Sequence, residues 1–227
     1  MNKIGSQVTI AMDGPAGSGK STVARCIAEK LGLLYLDSGA MYRAVTVLAI
    51  HHGLAADSPE LIDQVKACHI EFTNNGKKIL LNDEDVSIEI RTPRVNRFVA
   101  DVAKIPEIRS EIVKHQQRIG SEGSIVAEGR DLTTIVFPDA DFKFYLDASV
   151  RERAKRRLAQ LRKQDVNTTL ESVEAEIKER DKKDTTRAHS PLRAAEDAII
   201  VDTTDKTIDE VVDFIIAAVC KEKIGSE

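Results

Sequence analysis

The chain has 227 residues, 42% apolar and only 4% aromatic with no tryptophan, so a single domain with a mostly aliphatic core is expected, with room for an inserted lobe. Lysine and arginine number 33 against 37 aspartates and glutamates, a net charge of −4, which excludes the broadly basic surface of a general nucleic-acid binder but not a small anion held by local arginines. Three dispersed cysteines, Cys26, Cys68 and Cys220, suit a reduced cytoplasmic protein, and the longest apolar run, Ala44 to Ile50, is too short to span a bilayer.

The opening MNKIGSQVTI has no long apolar stretch, so no secretory leader is expected. VTIAM (8–12) then reads as a buried strand, and the segment from Gly14 to Ser21 fits G-x-x-x-x-G-K-[ST] in full before the helical STVARCIAEKLG. Strand, loop and helix in that order are what a phosphate loop requires. Its glycines let backbone N–H groups turn inward onto phosphate oxygens, and the helix N-terminus adds its positive dipole end. Gly14, Pro15, Ala16, Gly17, Ser18, Gly19, Lys20, Ser21 and Thr22 are therefore candidate ATP contacts. Lys20 would place its charge between the β- and γ-phosphates, and the Ser21 hydroxyl would ligate Mg²⁺.

LLYL (33–36) is a second strand running into LDSGAMYR, where Ser38 and Gly39 turn the chain and Tyr42 and Arg43 follow one helical turn on. Arg43 can fork onto a phosphate; the alternative is a surface arginine at a helix start. Ser58-Pro59 marks the next helix start. Residues 69–91 break the rhythm with strand-like segments around NNG, a hairpin signal, and predict an antiparallel insert between about residues 62 and 100. NDED (82–85) lacks the glycine and spacing of a calcium loop and reads as a solvated turn. Pro106 opens EIRSEIVKHQQR, which Gly120 is expected to close.

SIVAE (124–128) is a third strand, and its end carries Arg130 and Asp131 after Gly129. Strand ends of an open parallel sheet face the ligand crevice; the alternative is a local ion pair. After FKFYL (142–146), Ser149 and Glu152 form a capping-box pattern, as do Thr168 with Glu171 and Thr207 with Glu210. Residues 149–164 hold seven basic residues and one acid, with Arg153 and Arg157 on one helix face. EIKERDKKDTTR (176–187) sets Arg180, Asp184 and Arg187 near one face. These arginines suit a phosphoryl-transfer lid; the alternative is a solvated charged hairpin. AIIVD (198–202) is the fifth strand, and residues 208–223 read as a packing helix.

Continuous apolar strands alternating with helices predict an α/β fold: a three-layer phosphate-loop sandwich with a central five-stranded parallel sheet. No N-K-x-D base-reading motif is present, which sets aside a guanine-nucleotide switch. A small-molecule kinase remains, with a non-catalytic nucleotide-binding module as the rival from another class.

Together GPAGSGKST, LDSGAMYR, EDVSIEIRT, EGRDLTTIVFPDA, FYLDAS and EIKERDKKDTTRAHSPL resemble the bacterial-type cytidylate kinase family, over residues 14 to about 192. The resemblance implies transfer of the ATP γ-phosphoryl group to CMP or dCMP with Mg²⁺. It implies a kinase core at 1–61 and 101–227, a lid at about 150–187, and a CMP-binding lobe at 62–100. By position, Ser38, Tyr42, Arg43 and Arg130 would meet the acceptor phosphate, and Arg109 and Asp131 the cytosine. Asp184 and Arg187 would hold ribose and base, with Arg180 near, and Lys20, Arg153 and Arg157 would be catalytic. Glu128 or Asp37, by their own place at strand ends near the loop, would orient the Mg²⁺ through water. Two positions depart from the family pattern: Ala100 replaces a cytosine-contacting serine, and Thr133 a glycine after the GRD turn. No nucleic-acid or membrane partner is expected, and the chain reads as a monomer.

Overall fold

The computed structural model describes residues 7–163 and 165–224; the expected lack of a leader concerns a segment whose first six residues lie outside the described residues. The first half runs β1 (Thr9–Asp13), α1 (Lys20–Leu31), β2 (Leu34–Asp37), α2 (Ser38–His51) and α3 (Pro59–Ala67). Then come β3 (Ile70–Thr73), β4 (Lys78–Leu81), β5 (Glu84–Asp85), α4 (Pro93–Ala103) and α5 (Pro106–Ser121). The second half runs β6 (Ile125–Glu128), β7 (Phe142–Asp147), α6 (Val150–Arg162), α7 (Leu170–Thr186), β8 (Ile199–Asp202) and α8 (Ile208–Ile224).

All five apolar runs are strands of one parallel sheet, in the order β2-β6-β1-β7-β8. Side chains of a strand alternate between faces, and both faces are covered along β2, β6, β1 and β7, which explains their unbroken apolar runs, whereas the edge strand β8 leaves Ile199 and Ile200 exposed. Ile10 and Met12 of β1 pack with Val23 and Ile27 of α1 and Val212 and Ile215 of α8. Ala11, between them, packs on the other side with Met41 and Val45 of α2 and Ile108 and Ile112 of α5. Phe144 on β7 is fully buried; truncating such a ring costs about 3–5 kcal/mol.

The insert is a three-stranded antiparallel sheet, β3-β4-β5, in register Phe72 opposite Ile79. The turn uses left-handed Asn74, Asn75 and Gly76. NDED forms a second tight corner, with Asn82 and Asp83 also left-handed. Ile70, Phe72, Ile79 and Leu81 join the apolar cluster of α2 and α5, so the insert's inner face packs against the same core. The pair α6 and α7 has instead a separate patch of Ala154, Leu158, Val173 and Ile177.

Two helix ends differ from the sequence reading. The cap of α7 is Thr169, which accepts from the Ser172 N–H, one residue later than the Thr168–Glu171 pattern. Gly120 does not close α5, which continues to Ser121. Its role is close approach, because a Cβ there would press on the Phe137 ring. Thr207 and Glu210 form a reciprocal box, whereas Ser149 caps α6 without a return bond from Glu152. Among the described residues no helix is long and apolar enough to cross a membrane.

Candidate active site

Loops from β1, β2, β6 and β7 meet at the carboxyl ends of the parallel strands. The phosphate loop turns through positive φ at Gly14, Gly17 and Gly19. Gly14 is required twice over, since a Cβ there would also collide with the Leu146 carbonyl of β7. The helix α1 opens at Gly19 without a side-chain cap, leaving its first N–H groups for an anion. Lys20 curls back, donating to the Pro15 carbonyl at 2.7 Å and to the Ser18 hydroxyl at 3.3 Å. Burial, then the charge of Arg130, pushes its ammonium down to about 7, against the opposing pull of Glu128 and Asp13. The Ser21 hydroxyl donates to Glu128 at 2.6 Å.

Two arginines of α6 brace this loop from outside. Arg153 is buried and donates to the Ala16 carbonyl at 3.1 Å and, fork to fork, to Asp181 of α7 at 3.0 and 2.6 Å. Arg156 grips Thr203 through its hydroxyl and carbonyl, and the Thr203 hydroxyl donates to the Ser18 carbonyl. Arg157 is exposed, with a 3.4 Å bond to Gln160. Sequence reasoning found the basic run but not Arg156 or Thr203. Nothing in a string of arginines says which one will face a loop 47 residues later.

The acceptor side is built from paired charges. Arg130 and Asp131 are adjacent but do not pair with each other: Arg130 donates to Asp184 at 3.0 Å, and Arg109 donates to Asp131. Both members of the second pair are buried, and the Arg109 guanidinium sits 5.3 Å from the centre of the Tyr42 ring. Burial lifts the Tyr42 phenol to about 12. Arg187 donates to the Ser190 carbonyl, while its Nη2, buried and without a hydrogen bond, stands 3.9 Å from Asp131. Ser38 opens α2, buried, and a Cβ on Gly129 would overlap its hydroxyl, so the loop after β6 lies directly on it. Arg43 is 4.0 Å from Asp37. Arg180 lies open in the cleft, where desolvation and then the charges of Arg130, Arg43 and Arg157 lower its pKa. Ala100 is exposed on α4 and offers no polar side-chain atom.

Two further residues hold the cleft together. Asp13, fully buried at the end of β1, accepts from the N–H of Leu132 at 3.0 Å and from both the N–H and hydroxyl of Thr133 at 2.7 Å. Burial raises its pKa despite those bonds. The loop after Asp131 is thereby tied to the start of the phosphate loop, and the chain then makes a π-helical turn, Leu132–Val136. Thr133, in place of the family's glycine, supplies two of the three bonds that fix this turn, one of them from its side chain. On the other side of β6, Tyr35 donates to Glu128 at 3.2 Å.

A family model described as Cytidylate kinase matches residues 10–221. The cytidylate kinase of Streptococcus thermophilus (strain ATCC BAA-491 / LMD-9) is 49% identical over 212 residues, 92% of this chain and 94% of that protein. That of Lactococcus lactis subsp. lactis is 47% identical over 211 residues, 92% of this chain and 96% of that protein. Among solved structures, an uncharacterized protein from Eubacterium ventriosum superposes with TM-score 0.55 at 15% identity, over 94% of this chain and 98% of that one, a likeness of fold alone.

Proposed function

That this chain belongs to the cytidylate kinase family is the premise from which we propose how its cleft works. The enzyme moves the γ-phosphoryl group of ATP onto CMP or dCMP, giving ADP and CDP or dCDP. The acceptor phosphate oxygen is already anionic, so no protein nucleophile and no general base are needed. Catalysis is positioning plus neutralisation of the charge on the transferred group.

In our reading, Gly14 to Thr22 cradle the ATP phosphates, and Lys20 leaves the Pro15 carbonyl to face them. Ser38, Tyr42, Arg43 and Arg130 hold the acceptor phosphate. Asp131 accepts from the cytosine amino group and Arg109 donates to the carbonyl edge. Asp184 and Arg187, with Arg180 beside them, take the ribose and base side. Arg157 is exposed on the lid and free to turn toward the transferred group, whereas Arg153 keeps the loop and α7 together through Ala16 and Asp181. The observation that carries this reading is the buried Arg109–Asp131 pair under Tyr42: a donor and an acceptor side by side in a dry wall, as a base edge requires.

Oxygen donors suited to a hard cation gather beside the loop. Ser21 meets Glu128, and Asp37, opposite Glu128 in register, is held above the usual carboxylate range by burial and by that neighbour. A divalent cation relieves such crowding. We assign Mg²⁺ here, with Ser21 as protein ligand and Glu128 and Asp37 beside it; bound, it supplies positive charge to the β- and γ-phosphates. The proposal divides the chain into a core of 1–61 and 101–227, with its lid at about 150–187, and a nucleotide-binding lobe at 62–100. Three free cysteines fit a reducing compartment, and we propose a cytoplasmic monomer that takes only its small-molecule substrates.

The test is ADP release from Mg-ATP with CMP, dCMP, UMP, AMP, GMP and shikimate as acceptors. Turnover concentrated on CMP and dCMP is expected. Preference for another acceptor would point to a different small-molecule kinase, and ATP binding without acceptor-dependent ADP to a non-catalytic module.

A further inference from the structure

Tyr35 lies on β2, 2% exposed, within the apolar cluster under α1. A phenylalanine would fill that space equally well. The phenol oxygen therefore adds a polar group that must find a partner when buried, and among the described residues its hydrogen bond goes to Glu128. The Ser21 hydroxyl approaches the same carboxylate oxygen, Oε1, at 2.6 Å. Glu128 is 6% exposed and has three methylene and carboxyl torsions to fix; two hydroxyls on one oxygen leave it a single arrangement. Tyr35 is itself immobilised. The Arg25 guanidinium stacks 5.0 Å from its ring centre, and the tip of the inserted hairpin rests on its carbonyl, where any Cβ at Gly76 would collide.

We propose that Tyr35 is a positioning residue for phosphoryl transfer: its hydroxyl holds the Glu128 carboxylate against Ser21, and so sets the cation side of the phosphate loop. The inference rests on the assignment of Ser21 and Glu128 to Mg²⁺ given above.

The variant is Tyr35→Phe, which keeps the ring, the Arg25 stack and the hairpin contact. Loss of such a supporting bond commonly weakens a metal site or its activity about 10–100-fold. The expected result is a rise of about tenfold in the Mg²⁺ concentration giving half-maximal rate, with the KM for CMP within about twofold of the parent. Mn²⁺ binding to the protein–ADP complex, followed by electron paramagnetic resonance, should weaken by a similar factor. That measurement needs no acceptor, so it stays readable if the CMP assignment fails. In a Glu128→Gln background, Tyr35→Phe should change neither quantity further. Unchanged Mg²⁺ and Mn²⁺ dependence in the single variant overturns the proposal. So does an equal loss at every Mg²⁺ concentration with a lowered melting temperature, which marks a packing role, or a full effect persisting without the Glu128 carboxylate.

Discussion

At the scale of single residues, the cleft is wired with charges that answer one another before any substrate arrives. Arg109 holds Asp131, Arg130 holds Asp184 and Arg153 holds Asp181. Each carboxylate fixes an arginine that would otherwise range over many rotamers, so part of the ordering cost of binding is met during folding. If Asp131 reads the cytosine amino group, Asp131→Asn, which presents an amide in its place, should lower kcat/KM for CMP far more than for UMP. A fall of about tenfold or more in the CMP-to-UMP ratio is expected, and steady-state kinetics with both acceptors decide it. Equal losses would sink the assignment. Thr133 makes a second case. Its hydroxyl is one of three donors on the buried Asp13 carboxylate, and hydrogen bonds to charged groups contribute about 1.5–3 kcal/mol. Thr133→Val keeps the shape and both backbone bonds, so urea denaturation should show a loss in that range.

At the scale of elements, much of the frame was legible in the sequence because its signals are local. VTIAM, LLYL, SIVAE, FKFYL and AIIVD each lie within one residue of their strands, since runs apolar on both faces have few other homes in a chain this polar. NNG marked the hairpin because asparagine and glycine tolerate the left-handed backbone found there. What stayed hidden joins distant segments: Asp13 to Thr133, Tyr35 to Glu128, Arg156 to Thr203. Those bonds follow from the strand order β2-β6-β1-β7-β8, and no periodicity encodes an order. The hairpin turn shows both kinds of information at once. Its residues were readable, but its docking on Tyr35 was not. Gly76→Ala imposes a left-handed alanine and a clash with the Tyr35 carbonyl, so it should lower the melting temperature and raise the KM for CMP as the lobe is pushed from the core. Calorimetry and acceptor titration check the two effects, and the KM for ATP should move less.

At the scale of the whole molecule, Lys20 couples binding to pH. Its folded-state pKa of about 7 lies below the ordinary value of 10.5, so the buried charge weakens the unliganded fold fully below about pH 7. That penalty fades as pH rises toward 10.5. Triphosphate favours the charged form, so binding takes up a proton between those values. Titration of ADP at about pH 8.5 in two buffers of different ionisation enthalpy should show uptake approaching one proton. Lys20→Met should show none and should lose most turnover. Its melting temperature should exceed that of the parent at pH 6, with the gap closing toward pH 10. A pH-independent gap would contradict the titration.

The placement of β1 has a consequence for how the protein is made. It precedes the rest of the sheet in chain order, yet it is the middle of the sheet, with β6 and β7 on its flanks. Its Thr9 N–H bonds to Asp141, and Gly14 packs on Leu146. The nucleotide loop is thus synthesised before its neighbours and shaped late: a nascent chain that ends ahead of β7 carries the whole motif without the strand that gives it form. Vectorial synthesis should leave that glycine-rich segment waiting, open to chaperones and proteases, until β7 has been made.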